Sequence, residues 1–90
     1  VVAKDPLNGS ALLTLGSYYL KENELAKALD YYDRASKVEA VQVDALLGAT
    51  RVLVKKGKYL LAINRLKEAQ TIKEQYFVAE YISTLEKFVN

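Results

Sequence analysis

The sequence predicts an all-α fold, a short helical solenoid of about five helices. Three observations carry this. First, the chain repeats at a spacing of 34: sliding Gly9–Gln42 onto Val43–Tyr76 lays Ala11, Leu12 and Leu13 on Ala45, Leu46 and Leu47, and lays Lys21, Ala28 and Ala35 on Lys55, Ala62 and Ala69. A fixed period of this length marks helix–turn–helix units that bury their apolar faces only against neighbours. Second, apolar residues recur at helical spacing between turn-forming residues. Third, no alternating strand pattern competes anywhere.

The elements follow in order. Pro6 is the only proline, and the residue before a proline disfavours the helical region. A helix therefore starts after it, with Asn8 or Ser10 able to cap the first free backbone N–H. Leu12, Leu15 and Tyr19 carry this helix from about Ser10 to Glu22. Asn23, which tolerates a left-handed backbone, ends it. Leu25, Ala28, Leu29, Tyr32, Ala35 and Val38 mark a second helix over 24–38. A third, over 43–56, ends at Gly57. Asp44 in its first turn and Lys55 and Lys56 in its last match the helix dipole. A fourth spans 58–72. Val78, Ile82, Leu85 and Val89 mark a fifth over 76–89.

These residues resemble the tetratricopeptide repeat. Leu12, Leu15, Gly16, Tyr19, Ala28, Tyr32 and Ala35 stand where that family has its large, Leu, Gly, Tyr, Ala, aromatic and Ala positions. Leu46, Ala49, Thr50, Leu53, Ala62, Leu66 and Ala69 repeat the set, with Thr50 in place of the glycine and a wider helix contact expected there. Ala40 and Glu74 stand where the family often has proline. The resemblance implies a right-handed α–α superhelix. Its units are 9–42 and 43–75, with 1–8 as the tail of a preceding repeat and 76–90 as a capping helix. Glu80, Ser83, Thr84 and Lys87 occupy the positions on which a following helix would dock, and all four are polar, as a terminal cap requires. Val2–Pro6 reads like the close of an earlier repeat, so the array is expected to extend upstream. Ala11, Thr14 and Tyr18, with an apolar side of the second helix, are then an uncapped N-terminal face through which the chain could self-associate.

The resemblance also implies a function. The first helix of each unit lines a concave groove, which maps here to Ser10, Leu13, Thr14, Ser17, Leu20 and Lys21, then Asp44, Leu47, Gly48, Arg51, Val54 and Lys55. Leu13, Leu20, Leu47 and Val54 are apolar where the fold is not expected to need them, and exposed apolar patches mark partner sites. Lys21, Arg51 and Lys55 make the lining mildly basic, and Arg51 can hold a carboxylate in a two-pronged grip. Asp44 lies on the same helix face as Arg51 and partly offsets it. The branch of the family that clamps acidic tails needs Lys and Asn where Leu13 and Ser17 stand, so clamping is not expected. The reading is a scaffold that binds a peptide or helix of a protein partner. The alternative is a structural or self-associating segment with no separate ligand.

Composition excludes other classes. The chain of 90 residues has neither Cys nor His, which removes disulfides, thiol chemistry and the usual zinc ligands. A net charge of +2 is too mild to argue for nucleic acid or an anionic membrane. Lys55–Lys58 is the densest basic run, and it reads as a solvated helix end. The acidic pairs Glu22/Glu24 and Asp30/Asp33 sit beside Lys or Arg on predicted surface, so no catalytic set or cofactor is expected. Tyr19, Tyr32 and Tyr59 fall at core spacing.

Overall fold

A computed structural model describes residues 8–89. The segment read as a preceding tail lies almost wholly outside them. The described residues are all-α. The helices are α1 (Gly9–Lys21), α2 (Leu25–Ala35), α3 (Gln42–Lys55), α4 (Tyr59–Ile72) and α5 (Tyr76–Glu86), with a short 3₁₀ turn at Glu39–Val41 before α3. Each helix packs on the next, and α1 also meets α3. The result is an elongated slab of about 48 × 28 × 15 Å.

The period is visible in the backbone. Asn23 has φ 61° and Gly57 has φ 75°, and they stand at the same point of the two units. At both, the chain closes the helix with the same pair of bonds. Asn23 N–H donates to Leu20 and Glu24 N–H to Tyr19; Gly57 N–H donates to Val54 and Lys58 N–H to Leu53. These bonds satisfy carbonyls that a helix end leaves free. At the start of α1, Asn8 Oδ1 accepts from the Ala11 N–H at 3.1 Å, so Asn8 is the cap.

The small residues of the repeat do what their size predicts. Ala28, Ala35, Ala62 and Ala69 are all fully buried. One apolar cluster joins Ala28, Tyr32, Ala49 and Val52 across α2 and α3. Another joins Leu53, Ala62, Ile63 and Leu66 to Val78 and Leu85 of α5. Glu80, Ser83, Thr84 and Lys87 are exposed on the outer side of α5, as the sequence predicts.

Two expectations about helix extent change. Helix α2 stops at Ala35 and not at 38, because Val38 is used differently. It folds back with Val41 over Gly9, where a β-carbon would lie 2.7 Å from Val41 Cγ2 and 3.0 Å from Val38 Cγ1. The apolar period continues, but a turn delivers it. Helix α5 likewise ends at Glu86, short of 89.

In the second unit the glycine contact lies two residues before the family's glycine position, where Thr50 stands. Thr50 is fully buried, its hydroxyl donating to the Leu46 carbonyl at 2.8 Å. Gly48, read as groove-facing, is buried instead against the Tyr32 ring. Gly16 lies close to the same ring, a β-carbon there falling 2.9 Å from Tyr32 Cε1. Tyr32 of α2 is thus wedged between glycines of α1 and α3.

Candidate functional site

The cleft between α1 and α3 is built by that wedge. Leu13, Ser17, Tyr32, Asp44, Leu47 and Arg51 line a hollow of about 300 Å³. Five of these six are groove residues named from the sequence. Leu13 and Ser17 lie one helical turn apart on α1. Asp44, Leu47 and Arg51 lie at turns of α3, so one stripe of that helix forms the floor.

The sixth, Tyr32, reads as core from the sequence, and its ring is core. Its hydroxyl, however, reaches the cleft and accepts from Arg51 Nη2 at 3.4 Å. A signal for this exists in the sequence. Gly48 has no glycine partner in the first unit, where Thr14 holds the equivalent place. A glycine inside a helix costs about 1 kcal/mol, so an unmatched one needs a packing reason.

Charge in the cleft is arranged lengthwise. Asp44 and Arg51 are both exposed. Seven residues of helix separate them by about 10 Å along the axis. The two do not pair with each other: the ion pairs among the described residues are Arg34–Asp30 at 3.0 Å and Arg65–Asp33 at 3.1 Å. Any offset between them acts through space along the helix face and not through an ion pair. Among the described residues, the Arg51 guanidinium has only a phenol oxygen as a side-chain partner.

The remaining predicted residues are placed less uniformly. Lys21 belongs to a shallower depression of α1 lined by Leu13, Thr14, Ser17 and Tyr18. Leu20, Val54 and Lys55 line neither hollow. Ser10 is exposed, and its carbonyl accepts from the Thr14 hydroxyl at 3.0 Å. Leu13, Leu20, Leu47 and Val54 are half-buried, each packed against a core cluster. The fold does need them: Leu13 and Leu20 pack on the cluster that α2 and α3 share, and Leu47 and Val54 pack on the cluster that α3 shares with α4 and α5. Only their outer surface is left for a partner.

The acidic residues considered for catalysis are engaged or solvated. Asp30 pairs with Arg34, and Glu22 and Glu24 are exposed. Asp33 Oδ1 faces Arg65 across α2 and α4, but the approach lacks hydrogen-bond alignment and the oxygen is buried without another partner. This contact ties the two units together by charge alone. Among the described residues, no group of three His, Cys, Asp or Glu is placed to hold a metal. No described helix is long and apolar enough to cross a membrane.

Comparison with known proteins adds no identity. No family model matches the chain, and no curated protein matches it significantly.

Proposed function

We propose that the chain is a tetratricopeptide-type solenoid segment whose α1–α3 face binds a peptide or helix of a protein partner, with no catalytic activity of its own. The observation that carries this reading is the cleft: five residues chosen from the repeat register line one hollow. The alternation of helices and the shared helix closures at Asn23 and Gly57 support the superhelical arrangement. The test is a pair of variants. Leu47→Glu with Arg51→Glu is expected to abolish partner binding, with some loss of stability because Leu47 also packs on the core, which circular dichroism reads separately. Arg51→Glu alone touches only an exposed residue and separates a binding loss from a folding loss. Unchanged affinity in both variants would exclude the cleft.

One observation favours self-association as a second reading. Leu15 and Tyr18 are 37% and 53% exposed, whereas their repeat partners Ala49 and Val52 are 1% and 0% exposed. Ala11 and Ala45 differ in the same way. On α3 this stripe is covered by α2; on α1 it is bare. On α2 the exposed stripe Lys27, Asp30 and Arg34 is charged and adds no apolar surface to that of α1. Association through the stripe of α1 predicts a concentration-dependent dimer in sedimentation equilibrium. Leu15→Lys with Tyr18→Lys should return it to a monomer; a dimer that persists would place the contact elsewhere.

A further inference from the structure

The cleft carries more information than an apolar groove would. Its floor is one face of α3, with a carboxylate at one end, a guanidinium about 10 Å away at the other, and Leu47 between. Neither charge has an opposite partner among the described residues. The guanidinium has one side-chain contact, the Tyr32 hydroxyl, which accepts from Arg51 Nη2 at 3.4 Å and biases its placement; Tyr32 itself is only 2% exposed and packs against Gly16 and Gly48. Leu13 and Leu47 offer an apolar surface between the two ends, half-buried and so already ordered. Complementary charge at fixed positions sets register and partner choice more than raw affinity.

We propose that the cleft receives an amphipathic helix carrying an acidic side chain for Arg51 and a basic side chain for Asp44, seven positions apart, with apolar residues between them seated on Leu13 and Leu47. Residues seven apart lie on one face of a helix, so a single helical ligand satisfies both ends at once. Tyr32 acts as a positioning residue: its ring sets the separation of α1 and α3, and its hydroxyl biases the placement of the guanidinium that takes the carboxylate. A second copy of this chain is the rival occupant, because α3 itself carries an acid and a base at this spacing. Its geometry is unfavourable: α3 forms the floor of the cleft and is flanked by α1, and the exposed outer side of α5, which has Glu80 and Lys87 at the same spacing, carries the polar Ser83 and Thr84 between them and offers no apolar residue to Leu13 and Leu47.

The inference rests on the groove reading, and the experiment separates the two. Fluorescein-labelled helical peptides of about 18 residues, long enough to hold a helix, are titrated against the full chain by fluorescence polarisation. They share one Leu-bearing apolar face and differ only at the two positions: Glu and Lys, Glu and Glu, Lys and Lys, or Gln and Gln. The Glu–Lys peptide is expected to bind tightest. Each lost pair should weaken binding roughly two- to fivefold, the range of exposed ion pairs. Arg51→Glu should make the Lys–Lys peptide the preferred one. Tyr32→Phe should reduce the preference for Glu over Gln while leaving the Gln–Gln affinity unchanged, a pattern that simple loss of folding would not give. Equal binding of all four peptides, abolished by Leu47→Glu, would overturn the charge register and keep the groove. Charge-independent binding that survives Leu47→Glu would overturn both. Failure of every peptide to bind, or a dimer dispersed by Arg51→Glu, would overturn the proposed ligand.

Discussion

Tyr32 is the residue on which the cleft depends, and its neighbours make the dependence measurable. A methyl group added at Gly48 would run into the ring, with Cδ1 and Cζ at 2.5 Å. The ring has little room to retreat, because it is fully buried and already lies close to Gly16 of α1. Helix propensity alone would favour alanine over glycine by about 0.8–1.0 kcal/mol. Overpacking of a close-fitting core costs about 1–3 kcal/mol and acts in the opposite direction. Gly48→Ala is therefore expected to destabilise, with a fall in Tm of several degrees in a thermal melt. Tyr32→Leu in the same chain should relieve part of that cost, so the double variant should lose less than the sum of the single variants. A more stable Gly48→Ala would mean that the ring is not wedged.

At the scale of the helices, most of the plan was legible in the sequence, and what was missed has identifiable causes. Asn23 and Gly57 could be read as helix ends because each occupies a backbone conformation open to few residues. Ala28 and Ala62 could be read as close contacts because the repeat placed them twice. The end of α2 was not legible: Val38 keeps the apolar period, yet it packs from a turn, and period alone cannot tell a turn from a further helical step. The cleft was legible through its α1 and α3 walls. It was not legible at Tyr32, because a buried tyrosine whose hydroxyl meets a cleft residue looks the same in sequence as one packed wholly among apolar neighbours. Ala28 gives the sharpest check on the register. It is fully buried among Tyr32, Ala49 and Val52, so Ala28→Leu should cost about 1–3 kcal/mol in chemical denaturation. A denaturation midpoint equal to that of the parent chain would show that α2 faces elsewhere.

Across the whole molecule, stability is expected to be uneven, because a stack of helices distributes its contacts by position. Helix α3 touches helices on both sides and buries seven residues: Ala45, Leu46, Gly48, Ala49, Thr50, Val52 and Leu53. Helix α1 lies at the edge and buries three, Gly9, Leu12 and Gly16, two of which have no side chain to contribute. Helix α5 is also an edge and buries Val78 and Leu85. In a nearest-neighbour solenoid each unit is as stable as its own contacts and its interfaces allow. Local opening therefore should cost least at the edges and most in the centre. Native-state hydrogen exchange tests this directly. The α3 amides should exchange slowest, with α4 next, and the α1 and α5 amides should exchange through partial opening well below the global unfolding free energy. The cleft then has one firm wall, α3, and one yielding wall, α1. Since a bound helix would contact both, a peptide that fills the cleft should slow exchange in α1 far more than in α3. Uniform protection of all five helices would instead describe one cooperative block, and the edge account of the stack would fail.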